Sequence, residues 1–128
     1  MKVYCDSSTT EACFVINGSE PIVQPYPEPV TNNVGEYKAV ILALEWIANN
    51  LPAKIDDIDV FTDSLLVVNQ SLGLWKVSKK GKHLIPYRDM VIFFLTAFDA
   101  TIDWVSREEN PAGKVLEQRS KHVICKRN

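Results

Sequence analysis

The order in which short and long apolar runs follow one another constrains this chain more than any single residue does. "KVYCD" and "ACFVIN" are short runs separated by the polar "SSTTE", the pattern of a strand, a turn and a second strand. Asn17-Gly18 signals a turn, and "PIVQPY" follows as a third strand whose neighbouring prolines confine it to an edge. The next run changes period. From Thr31 to Ile47, Ala39, Val40, Ala43, Leu44 and Ile47 recur at steps of three and four, one face of a helix, with Lys38 and Glu45 opposite. Asn32 or Asn33 is its expected cap, and Asn49-Asn50-Leu51-Pro52 its expected end. Beyond it, "DDIDVFTD" reads as a strand with Ile58 and Val60 on one face, and "SLLVVNQSLG" as a short helix closed by Gly73. "WKVSKKGKH" reads as a basic loop, "IPYRDMVIFFLTAF" as a helix starting at Pro86, and "TIDWVS" as a strand. "NPAGKVLEQRSKHVICK" is a last helix, capped by Asn110 with Pro111 in its first position.

The order β-β-β-α-β-α-α-β-α, without a repeat or linker, predicts one α/β domain over residues 1–128: a mixed sheet with helices on both sides. A chain of 128 residues can bury a substantial core, and Trp46, Trp104, Phe93, Phe94 and Phe98 are its expected aromatic members. No apolar run approaches the ~18 residues of a membrane span, and the N-terminus enters a strand-like segment without a leader. Three cysteines (Cys5, Cys13, Cys125) lack metal-site spacing and read as reduced core thiols. The expectation is a cytoplasmic monomer with no membrane contact. A net charge of −2 means that any contact with nucleic acid must come from a local patch.

Glu36 breaks the helix pattern. At 100° per residue it falls within the apolar stripe, where an unpaired carboxylate costs several kcal/mol. Two more acids invite the same question, Asp6 at the end of the first strand and Asp63 at the end of the fourth. Ligand sites in open α/β sheets lie beyond the carboxyl ends of strands. If the first and fourth strands are neighbours, Asp6, Glu36 and Asp63 share one gap. Carboxylates gathered there require a cation. Hard oxygen ligands select Mg²⁺ or Mn²⁺, paired ions being usual for displacement at phosphorus. Each acid also has a plain structural role open to it: a turn for Asp6, a helix cap for Asp63, a first-turn position in water for Glu36.

Asp6, "TNNVGE" with Glu36, "FTDS" with Asp63 and "WVSREEN" in the last strand occur in an order that resembles type 1 ribonuclease H over essentially the whole chain. The resemblance implies a five-stranded mixed sheet flanked by helices, three antiparallel strands followed by parallel ones. It also implies two Mg²⁺ ions (Mn²⁺ as the alternative) held by four carboxylates, and hydrolysis of the RNA strand of an RNA–DNA hybrid. Asp6, Glu36 and Asp63 would be the first three metal ligands. The fourth family carboxylate lies four residues after the asparagine of "REEN", and that position here is Lys114. Three outcomes are open: an oxygen from Asn110 or Glu117, an outward Lys114 with water as the ligand, or loss of the second ion. Asn110 is assigned as the fourth ligand, and reduced activity is expected.

Arg107 occupies the place of a loop histidine found in some members. Its guanidinium suits a phosphate, though it cannot serve as a general base, and a plain ion pair with Glu108 or Glu109 is open to it as well. Thr31, Asn32 and Asn33 resemble the family's phosphate and minor-groove contacts, and Ser7 and Ser64, beside the two aspartates, join them. Trp75 and Lys76 open a stretch without acids (Lys79, Lys80, Lys82, His83 follow) that suits a nucleic-acid backbone. Leu65 stands where a groove-reading glutamine is common. Lys114 favours one alternative, a catalytically inactive hybrid- or nucleic-acid-binding module on the same fold. An integrase-like triad of Asp6, Asp63 and Glu117 would leave Glu36 without a role.

Overall fold

The computed structural model describes residues 1–51 and 57–127, with side chains to residue 121. Pro52 and Asp56, at the expected helix end and strand start, lie outside the described residues, as does the side chain of Cys125. Five strands form one sheet in the order β3-β2-β1-β4-β5: β1 (Lys2–Ser7), β2 (Glu11–Ile16), β3 (Ile22–Pro25), β4 (Asp59–Thr62) and β5 (Thr101–Trp104). The first three are antiparallel, and β1–β4 and β4–β5 are parallel. The helices are α1 (Asn32–Asn50), α2 (Leu65–Ser71), α3 (Ile85–Phe98) and α4 (Pro111–Arg127). The mixed sheet expected from sequence is the sheet observed.

The turn after β2 forms because Asn17 and Gly18 both adopt positive φ (50° and 72°), a region open to glycine, which lacks a Cβ, and tolerated by asparagine. β3 is an edge strand, as its prolines require. In β2 the residues from Ala12 to Ile16 are all buried, because the strand is covered on both faces. Phe14 and Ile16 face the large core with Tyr37, Val40, Leu44 and Ile47 of α1, Val67 of α2 and Val91 of α3. Cys13 and Val15 face the smaller layer under Ala112 and Leu116 of α4.

Four expectations need correction. Thr31, not Asn32 or Asn33, caps α1, its hydroxyl accepting the Val34 N–H. The basic loop contains a 3₁₀ turn, Lys79–Leu84, whose Gly81 N–H donates to Ser78 Oγ. Phe93 is 62% exposed: a helix has one buried side, so the run "VIFF" cannot all reach the sheet, and Val91 takes the inward place. Trp104 is 48% exposed because it ends an edge strand of which only Ile102 is buried. Trp46, Phe94 and Phe98 are partly buried against the core. Cys5 and Cys13 are buried free thiols.

Candidate active site

Strand register builds the site. β1 and β4 run in parallel with Val3 opposite Val60 and Cys5 opposite Thr62, so the next residues, Asp6 and Asp63, leave adjacent strands at the same level. Between β3 and β4 the chain passes through α1, whose start brings Glu36 to the same two acids. The three acids each offer an oxygen, and these oxygens lie within 4.8 Å of one another. All three residues are half-buried.

Such crowding shifts their titration. Burial, then the charges of Asp6 and Asp63, push Glu36 up to about 9. Burial and then Asp63 raise Asp6 to about 6, and burial raises Asp63. The Arg107 guanidinium works against all three shifts. Glu36 Oε2 is buried without a hydrogen-bond partner, an arrangement that a bound cation would relieve. The donors are oxygens only, which suits a hard divalent ion. Gly113, in the first turn of α4, lies so close that a Cβ there would stand 3.0 Å from Asp6 Oδ2 and 3.8 Å from Asp63 Oδ2. The helix backbone thus closes one side of the acidic gap without filling it.

The profile of the RNase H family matches residues 1–92. The chain belongs to the RNase H family. Among solved structures, RNase H1 from the halophilic archaeon Halobacterium salinarum is 28% identical, with a TM-score of 0.71 over 90% of this chain and 92% of that one. The N-terminal RNase H domain of Rv2228c from Mycobacterium tuberculosis shares the fold at 23% identity (TM-score 0.70; 90% and 93% covered). LC11-RNase H1, solved in complex with an RNA/DNA hybrid, shares it at 21% identity (TM-score 0.70; 86% and 88% covered). The RNase H profile ends within α3, so β5, α4 and the turn between them, a stretch that includes Arg107, Asn110 and Lys114, lie beyond the matched residues.

The remaining sequence-assigned residues of this RNase H domain fall into two groups. Thr31, Asn32 and Asn33 are exposed at the start of α1, immediately before Glu36. Arg107 is exposed in a short 3₁₀ turn (Arg107–Glu109), close enough to act electrostatically on all three acids, and among the described residues it has no ion pair with Glu108 or Glu109. Others have structural duties. Ser64, rather than Asp63, caps α2 by accepting the Val67 N–H at 3.2 Å. The Ser7 hydroxyl bonds Ser8 O and the Tyr26 hydroxyl, at 2.6 and 2.7 Å.

Asn110 differs from its assignment as a free fourth oxygen. It is fully buried, its Oδ1 already accepts the Ala112 N–H, and its Nδ2 donates to Cys5 O at 2.9 Å. Lys114 is exposed, and Glu117 is exposed and paired with Lys121 at 3.1 Å. Trp75 and Lys76, both exposed, follow the far end of α2, about 10 Å along its axis from Asp63. Sequence reading missed two neighbours of the acids. The Trp104 indole N–H donates to the Asp63 carbonyl at 3.1 Å, and Gly113 approaches Asp6. An aromatic at a strand end and a glycine in a first helical turn were the only signals of either.

Proposed function

We propose that this chain is an endonuclease that hydrolyses the RNA strand of RNA–DNA hybrids at the Asp6–Glu36–Asp63 cluster. The observation that carries the reading is the convergence of the three acids within 4.8 Å, at the strand ends of an RNase H-family fold. LC11-RNase H1, a structural neighbour, was solved with an RNA/DNA hybrid, which supports this substrate class.

In this reading Asp6, Glu36 and Asp63 hold Mg²⁺ or Mn²⁺. Ions of that kind activate a water for attack on phosphorus and offset charge on the departing 3′ oxygen. The chain's own groups do the rest. Thr31, Asn32 and Asn33 meet 2′-hydroxyls and phosphates along the groove, short polar side chains that recognise RNA without reading sequence. Arg107 offers a guanidinium to the phosphate being cleaved. Trp75, Lys76 and the lysines of the 3₁₀ turn hold the backbone farther along the duplex. With Asn110 committed to α4 and Lys114 exposed, neither would stand in for the fourth carboxylate, and in this reading the rate is reduced rather than abolished.

Hydrolysis of a labelled hybrid with Mg²⁺ and with Mn²⁺, wild type against Asp6→Asn, tests the proposal. RNA-strand cleavage that disappears in Asp6→Asn is the expected result. Lys114→Asp should then raise the rate about tenfold, the order contributed by one well-placed charge. Lys114 is also the observation that favours a second reading, a hybrid-binding domain without activity. Folded protein that binds hybrid but leaves both strands intact with either metal would establish that reading instead.

A further inference from the structure

We propose that the cavity between α1, α3 and the segment after β3 is a second binding site. Its ligand class is a small amphipathic carboxylate, and its occupancy is transmitted to the acidic cluster through Tyr26. The cavity has a volume of about 400 Å³, and its walls include Tyr26, Ile41, Leu42, Tyr87 and Met90. That size and apolar character suit a small organic molecule.

Lys38 supplies the charge preference. It lines the cavity, half-buried, with its ammonium 5.5 Å from the centroid of the Tyr26 ring. Among the described residues no carboxylate lies within ion-pair distance of it. An ammonium held over an aromatic face at the edge of an apolar space has lost part of its water, so an anion brought there by an apolar body is favoured. Glu45 sets the length. It lines the same cavity two helical turns farther along α1, about 10 Å away. A long acyl chain starting from Lys38 would run into that second charge, so the body must be short.

Tyr26 supplies the connection. Its ring is a wall of the cavity, while its hydroxyl shares a hydrogen bond with Ser7 Oγ at 2.7 Å and donates to Gly35 O at 3.2 Å. Ser7 follows Asp6 and Gly35 precedes Glu36, so a displacement of this ring pulls on the backbone next to two of the three acids. The binding claim stands apart from the hydrolysis reading, since neither the cavity nor Lys38 belongs to the cluster.

An amide NMR titration of the full chain with phenylbutyrate, and with phenylbutylamine as the charge-reversed control, tests it. Expected are saturable shifts at Lys38, Ile41, Leu42 and Tyr87, accompanied by Ser7 and Gly35, with the amine about tenfold weaker. Lys38→Met should weaken the acid by a similar factor, and Ile41→Trp should fill the space. Tyr26→Phe should keep the cavity shifts and lose those at Ser7 and Gly35. Shifts that never saturate, equal binding of the amine, or undiminished binding by Lys38→Met would overturn the site. Cavity shifts that leave Ser7 and Gly35 unmoved in wild type would overturn the coupling.

Discussion

Glu36 shows how much chemistry one residue can announce. Its place in the apolar stripe of α1 is visible from helical period alone, and the fold puts its carboxyl with Asp6 and Asp63. The titration of that group makes a prediction with a definite sign. In the metal-free fold Glu36 is raised to about 9 and Asp6 to about 6, so the folded chain holds protons that the unfolded chain releases. The contribution of these two groups to stability is therefore fully present below the ordinary carboxylate range and is lost as pH rises through the window up to about 9. In EDTA, the wild-type Tm should fall by about 5 °C more than that of Glu36→Gln between the two ends of this window. Mg²⁺ or Mn²⁺ should reduce the difference by replacing the protons. Equal pH slopes for the two proteins, measured by thermal melts, would contradict this account. Other residue-level features left no trace in the pattern. Gly113 matters because a neighbouring strand end approaches it, and the exposure of Trp104 follows from β5 being an edge. Both are facts of tertiary arrangement.

Among the elements, α4 is the one whose docking decides the site's far wall. Its start is fixed by Asn110, which caps the helix through Oδ1 and ties it to β1 through Cys5 O. Farther along, Ala112 and Leu116 pack on Cys13 and Val15, and Arg119 forms a bidentate pair with Glu11 at 2.7 and 2.9 Å. The Arg119 pair is largely exposed on the arginine side and contributes little. Asn110 contributes more, since its loss leaves a buried carbonyl and an uncapped helix. Asn110→Ala should cost about 2–3 kcal/mol in urea unfolding, against under ~1 kcal/mol for Arg119→Ala. A smaller loss for Asn110→Ala would mean that the hydrophobic layer alone seats the helix. The cap role was legible from "NP" at the helix start. The bond to Cys5 was not, because it joins residues 105 positions apart. At α1 the reading chose an asparagine over Thr31, three adjacent residues all chemically able to cap; backbone geometry makes the choice.

At the scale of the molecule, the sheet and its helical cover follow from the order of periods along the chain, which is why the topology was readable while the exposure of Phe93 was not. Charge behaves differently, since a net −2 gives no general attraction to nucleic acid. On the proposed reading, hybrid binding depends on the exposed lysines that follow α2. Replacing Lys79, Lys80 and Lys82 with glutamine should weaken binding equally for all sequences. It should also flatten the salt dependence of log K by about two to three. An unchanged slope in a salt-titrated binding assay would place the contact surface elsewhere.

The central position of β1 has a consequence for how the molecule is made. It precedes the other strands in chain order, yet one of its two edges waits for β4, where Val3, Tyr4 and Cys5 face Val60, Phe61 and Thr62. The β1–β2–β3 meander can assemble early from local turns, while the parallel seam to β4 must await α1 and close over a long loop. Until then the nascent chain presents an open strand edge, the kind of surface that recruits foreign strands. Asp6 lies on one side of that seam and Asp63 on the other, so the acidic cluster does not exist in a half-made chain. On the proposed reading, affinity for a divalent ion is a property of the finished molecule, and its appearance during refolding marks the closing of the seam.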